Sequence, residues 1–250
     1  MAESTGPESK LIIPFDFHSI TEEKPNQLLT SLEGTGVTVK IGTTIAGDRG
    51  WRYPIQKVHR YGLRVFADTK ADDIPQTVED SVGFHVFPEV PYLVNMHASS
   101  GEDALAAFIE RRNAVQEGSI AEGIGSLAIA VTVLTSKDEE IDAEYNGRTP
   151  EEQVLYYTDL AIDLGFDGVV CSPQELEALS GRDILKVTPG IRPLWARDND
   201  QQRVTTPAEA VRLGATHLVI GRPITKPPIE IGSSENAIES ILQEMSEAAA

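Results

Sequence analysis

Residues 65 to 75 read VFADTKADDIP. Asp68 and Lys70 stand two apart, so on a β-strand both point to one face, roughly 7 Å apart along the chain. Asp73 follows just past the end of that strand, where Ile74-Pro75 turns the chain outward. Charges of both signs crowded beside apolar residues are costly unless they neutralise one another, and they shift each other's pKa values. A set of groups with mutually shifted pKa values at one strand end is a candidate functional site. Asp16 and Lys40 stand at corresponding places, near the ends of two preceding apolar runs. A single Asp or Lys at such a place is commonly a cap or a surface charge, but that reading does not account for the whole Asp68, Lys70, Asp73 set. Asp72 has the opposite parity and is expected to be a solvated loop charge.

A second candidate site lies towards the C-terminus, in VTPGIRP (187–193) and VIGRPIT (219–225). Glycine lets backbone N–H groups approach a phosphate oxygen, and arginine grips it through a planar fork of donors. Pro189, Arg192, Gly221 and Arg222 are the residues concerned. Either string alone reads equally well as a turn glycine beside a surface arginine. At adjacent strand ends of a chain with net charge −18, an anion grip is the better account.

Eight short apolar runs would position these groups: 11–17, 36–42, 63–70, 92–98, 127–134, 168–172, 184–190 and 217–223. They are rich in Val, Ile and Leu and alternate little, as strands covered on both faces do. Helical spacing lies between them, as in Ala104, Leu105, Phe108 and Ile109, or Ile238, Ile241, Leu242 and Met245. Thr149-Pro150-Glu151-Glu152, Ser172-Pro173-Gln174-Glu175 and Thr206-Pro207-Ala208-Glu209 each place a hydroxyl N-cap before proline, with glutamate at the third helical position, which starts a helix. Alternation on this scale in 250 residues points to a single-domain (β/α)8 TIM barrel over residues 11–250, after a flexible N-terminus at 1–10. A doubly wound open sheet is the runner-up, but the glycine-rich turn it needs after the first strand is missing from FDFHSITEEKP (15–25). In a barrel the charged residues and the phosphate strings gather at the C-terminal ends of the strands, where active sites lie.

Composition narrows the partners. With 21 basic against 39 acidic residues the surface repels nucleic acid and anionic lipid. No apolar run approaches the roughly 20 residues of a membrane span. The polar, acidic start is unlike a secretory signal, and the single cysteine, Cys171, allows no intramolecular disulfide, so a reducing, cytoplasmic setting is expected. His18, His59, His85, His97 and His217 show no metal-ligand spacing. His97 ends a strand and is a candidate to line the site or to sit satisfied in the core; Cys171 reads as a small buried apolar residue in strand six.

The string Asp68-x-Lys70-x-x-Asp73-Ile74-Pro75-x-Thr77, followed in order by VTVLTS, VTPGIRP, DQQRVTTP and VIGRPIT, resembles the orotidine 5′-phosphate decarboxylase family from Asp16 to Thr225. The resemblance implies a homodimeric barrel that makes uridine 5′-phosphate without metal or organic cofactor. It implies that Lys70 donates the proton to C6, that Asp68 sits near the departing carboxylate, and that Lys40 contacts the ribose. Asp16 would bind a ribose hydroxyl, while Asp73 and Thr77 would reach into the partner subunit's site. Thr135 and Ser136 would meet the base, and Arg192, Gln201, Gly221 and Arg222, with Pro189 in the same string, would hold the phosphate end. The family usually carries an aromatic or aliphatic residue and often histidine between the lysine and the second aspartate, where this chain has Ala71-Asp72. KIGTT (40–44) is similar to the magnesium-using sugar-phosphate relatives, the hexulose-phosphate synthases and ketogulonate-phosphate decarboxylases. Those relatives place an acid where Lys40 stands, and an ammonium there would repel a metal. A catalytically dead nucleotide-binding barrel is the remaining alternative.

Overall fold

A computed structural model describes residues 6–118, 125–133, 147–196 and 205–249. Eight parallel strands pair in chain order and close on themselves: β1 (Leu11–Pro14), β2 (Thr38–Gly42), β3 (Arg64–Ala71), β4 (Leu93–His97), β5 (Leu127–Val131), β6 (Gly168–Val170), β7 (Leu185–Thr188) and β8 (His217–Val219). Closure is made by Leu11 against Leu218 and Ile12 against Val219. Helices wrap the outside: α1 (Glu23–Leu32), α2 (Thr43–Arg49), α3 (Arg52–His59), α4 (Pro75–Val78), α5 (Glu102–Glu117), α6 (Pro150–Leu164), α7 (Pro207–Arg212), α8 (Arg222–Thr225) and α9 (Ser234–Ala249). Each strand falls within an expected run, except that β3 extends one residue beyond its run, to Ala71. α5 buries Ala104, Leu105, Phe108 and Ile109, and α9 buries Ile238, Ile241 and Met245. No described helix is long and apolar enough to cross a membrane.

The hydroxyl-proline-glutamate starts behave unequally. Thr149 and Thr206 complete reciprocal capping boxes with Glu152 and Glu209 and open α6 and α7. Ser172 and Glu175 also form the box, but only a 3-10 turn, Pro173–Glu175, follows. The chain then buries Leu176 and Leu179 in successive turns on its way to β7. A satisfied cap starts a helix; it cannot extend one through a short connection whose apolar residues are already seated. Pro7–Lys10, expected within the flexible N-terminus, form a 3-10 turn with Ser9 buried.

Inside the barrel, Ile12, Phe66, Ile129 and Val187 come from β1, β3, β5 and β7 and pack with Leu93 into one cluster. Four side chains from alternate strands are what fills a barrel of this size. Gly168 of β6 is required here: a Cβ would sit 2.7 Å from Ile129 Cδ1 and 2.9 Å from Leu185 Cβ.

The opposite, N-terminal end of the strands holds a polar group. His217 is 5% exposed, with Nε2 3.2 Å from Tyr92 Oη. The Arg64 guanidinium lies 4.8 Å from the Tyr92 ring centroid. Burial, reinforced by the charges of Lys10 and Arg64, pushes the His217 pKa down to about 4 from 6.5. Below the ordinary value the unfolded chain takes up a proton that the folded chain refuses, so this contribution is complete above pH 6.5 and is lost as pH falls towards 4. The expected loss is about 3 kcal/mol. Denaturant midpoints of the wild type and of His217→Gln between neutral and acidic pH check this; the wild type should show the steeper fall, and parallel curves would refute the assignment to His217.

Candidate active site

β3 carries the centre of the site, but not as a regular strand. Its pairing with β4 slips between Ala67 and Ala71, and Lys70 adopts φ +46°. This left-handed conformation costs a non-glycine residue about 1 kcal/mol or more. Two hydrogen bonds hold the distortion: the Lys70 backbone N–H donates to Asn95 Oδ1 at 2.9 Å, and Thr69 Oγ1 donates to the Asn95 carbonyl. The result brings the expected charges together more closely than a plain strand would. Lys70 Nζ donates to Asp68 Oδ2 at 2.5 Å, and Lys40 Nζ donates to the same oxygen at 2.8 Å. Asn95 Nδ2 donates to the other oxygen, Oδ1, at 2.7 Å.

Asp68 is buried, while the Lys70 side chain is 42% exposed and faces the opening. Burial alone would raise the Asp68 carboxyl. The charges and hydrogen bonds of Lys40 and Lys70 outweigh that and hold it below its ordinary value, so it is an anion at neutral pH.

These groups form one wall of a cavity of about 240 Å³ at the C-terminal mouth of the barrel. The even-numbered strands contribute Lys40, Asn95, Val170 and Val219 to its lining, in β2, β4, β6 and β8. Phe66 and Val187 close it from below. The charged and polar groups, Lys40, Asp68, Lys70 and Asn95, therefore come from β2, β3 and β4. The remaining wall is Val131, Val133, Val170, Cys171 and Val219, with Pro189 and Ser172. Cys171 lies one residue past β6 rather than within it, buried, its thiol pushed up to about 12 by burial. It is a wall, not a nucleophile.

A larger groove of about 590 Å³ adjoins β1 and β8 and is lined by Asp16, Gly221 and Arg222 among others. Asp16 is exposed and connects the two spaces, with Oδ1 3.8 Å from Lys40 Nζ. Arg222 opens α8 and is exposed, and Gly221 before it passes so near β1 that a Cβ would lie 3.0 Å from Pro14 Cγ. Arg192 follows Gly190, which needs its φ of +81°, and its backbone N–H donates to the Thr205 carbonyl. Arg192 lines neither space.

Asp73 and Thr77 are not brought to the Lys40–Asp68–Lys70 cluster. Both are exposed on the rim; Asp73 Oδ1 accepts from the Ile74 N–H at 2.8 Å, and Ile74 is 64% exposed. Asp72 is exposed as expected and accepts a hydrogen bond from Ser100 Oγ at 2.8 Å. His97 ends β4, partly buried, and does not line the cavity. Thr135, Ser136 and Gln201 lie outside the described residues. Asn95 is the cavity-lining residue of this cluster that sequence reasoning missed. A lone carboxamide inside the apolar run YLVNMHA was its signal, because a buried carboxamide demands partners.

Comparison with known proteins follows the same lines. The profile of the orotidine 5′-phosphate decarboxylase / HUMPS family matches residues 9–230. An orotidine 5′-phosphate decarboxylase of Staphylococcus haemolyticus is 42% identical over 234 residues, covering 92% of this chain and 94% of the relative. One from Saccharophagus degradans is 37% identical over 246 residues, 97% of each chain. The crystal structure of an orotidine 5′-phosphate decarboxylase from Lactobacillus acidophilus superposes with a TM-score of 0.78 at 30% identity, over 94% of this chain and 98% of that one.

Proposed function

Since this chain belongs to the orotidine 5′-phosphate decarboxylase / HUMPS family, we propose that it converts orotidine 5′-phosphate to uridine 5′-phosphate and carbon dioxide, the last step of de novo pyrimidine nucleotide synthesis. The observation that carries the choice within the family is the Lys40 ammonium, 2.8 Å from Asp68. The magnesium-using sugar-phosphate relatives need an acid at that place, and an ammonium seated on the neighbouring carboxylate opposes a cation there.

In this reading the C6–carboxylate bond breaks, carbon dioxide leaves, and the electron pair remains on C6. That carbanion has no enolate to spread into, so a positioned cation is the main stabiliser available. The Lys70 ammonium supplies it and then transfers its proton to C6; the neutral amine recovers a proton from solvent. Asp68 stands where the substrate's own carboxylate would be repelled, and the valine wall accepts the uncharged face of the base. Lys40 and Asp16 take the ribose hydroxyls, Thr135 and Ser136 the base. Pro189, Arg192, Gln201, Gly221 and Arg222 form the phosphate end, whose binding energy organises the reacting end. Asp73 and Thr77, turned away from their own cluster, complete the site of a second subunit; the exposed Ile74 between them gives that rim an apolar contact. The partner is a copy of this chain. The cytoplasm is the setting that a single buried free thiol suits.

Protein treated with EDTA should discharge orotidine 5′-phosphate at an undiminished rate, followed by loss of the substrate's absorbance. No activity, or activity only on a sugar phosphate with added magnesium, would give the protein to the other branch of the family.

A further inference from the structure

Asp68 and Lys70 have matched partners in the reaction, but what holds them at 2.5 Å is a residue outside the charged set. Asn95 is fully buried, at 0% exposure. Its carboxamide spans the two: Nδ2 donates to Asp68 Oδ1 at 2.7 Å, and Oδ1 accepts the Lys70 N–H at 2.9 Å. The orientation of the amide is unambiguous, since the backbone N–H needs an acceptor and the carboxylate a donor. By occupying Oδ1, Asn95 leaves Oδ2 to both ammonium groups. By accepting the Lys70 N–H, it offsets the strain of φ +46° and directs the side chain back over Asp68 instead of along the strand. Few side chains can do both. Leucine offers neither group, and an ionised aspartate cannot donate and would repel Asp68.

We propose that Asn95 is a positioning residue for decarboxylation: one carboxamide sets the rotation of the Asp68 carboxylate and the bulged backbone of Lys70, and thereby the place of the transferable proton. This rests on the decarboxylase reading given above. Its effect belongs in turnover more than in binding, because the proton donor moves while the groups of the phosphate end do not.

The test uses Asn95→Ala and Asn95→Asp in the full chain, with the folded fraction followed by circular dichroism. Per folded molecule, Asn95→Ala should lose about 100-fold in kcat, while the Kd for uridine 5′-phosphate changes by less than about threefold. Asn95→Asp gives the sharper readout. A neutral carboxylic acid can donate to Asp68 Oδ1 and accept the Lys70 N–H, as the amide does, whereas the ionised form still accepts the N–H but cannot donate and repels Asp68. Burial beside the Asp68 anion raises the introduced carboxyl's pKa. Turnover of Asn95→Asp relative to wild type should therefore climb as pH falls from about 8 to about 5.5. A role in folding alone predicts no such recovery. A flat ratio across that range, or a kcat of folded Asn95→Ala within about threefold of wild type, would overturn the proposal. If the alanine variant does not fold, the near-isosteric aspartate variant decides by its pH ratio. Failure of the underlying reading is separate, for then the wild type itself leaves orotidine 5′-phosphate untouched.

Discussion

Lys70→Ala is expected to lower turnover on orotidine 5′-phosphate by about 10⁵-fold, because one substitution removes both the proton donor and the nearest cation to the developing carbanion. The fold should survive. Asp68, buried as it is, keeps Lys40 at 2.8 Å and Asn95 at 2.7 Å, so the carboxylate is not stranded without partners. The Lys70 side chain itself is 42% exposed and fills no core position. Uridine 5′-phosphate should still bind, as measured by titration, since the phosphate end is intact. Near-wild-type turnover in this variant would remove Lys70 from the role assigned to it.

The second large effect concerns the rim. On the shared-site proposal, Asp73→Ala and Lys70→Ala homodimers should each be nearly inactive, for different reasons: one would lack a group contributed to the partner's site, the other a group in its own. Mixed in equal amounts and allowed to exchange subunits, they should regain about a quarter of wild-type activity. Half of the dimers are then mixed, and each of those has one site with both lesions and one with neither. The structure motivates the experiment directly. Asp73 bonds its own neighbour Ile74 at the rim and is absent from the lining of the cavity that holds Asp68 and Lys70. Exchange verified by mass labelling without recovery would return Asp73 to its own chain's site.

Much of this architecture is legible in the sequence. The eight apolar runs mark the strands because a parallel barrel buries both strand faces, and Thr149 and Thr206 mark helix starts because an orphan N–H must be capped wherever it occurs. Asp68, Lys70 and Lys40 could be placed at one mouth because strand parity and the barrel rule are both local inputs. What could not be read was anything set by a partner distant in sequence. The left-handed φ of Lys70 is imposed by Asn95, a residue on the next strand, so β3 looks regular until β4 is beside it. Asn95 itself hid in an apolar run, since one polar residue inside a strand of that length barely alters the pattern. The division of the cavity into a charged and an apolar half depends on which residues of β5 to β8 face inward, and runs without alternation do not reveal it. Ser172 erred in the opposite direction: its capping box is present, but the connection beyond it is too short and too well anchored to become a helix.

The groove that joins Asp16 to Arg222 lies along the seam between the first strand and the last, which meet through only two residue pairs, Leu11 with Leu218 and Ile12 with Val219. Nearly the whole chain separates the two sides of that seam, so joining them has the largest loop-closure entropy in the barrel and belongs to the late part of folding. A nascent chain carries Lys40, Asp68, Lys70 and Asn95 on three adjacent strands, β2, β3 and β4, all before residue 97 has been passed. It owns no groove beside Arg222 until β8 docks. A phosphorylated ligand lying across that seam would act as a clasp on the two ends of the polypeptide, adding stability through its preference for the closed ring.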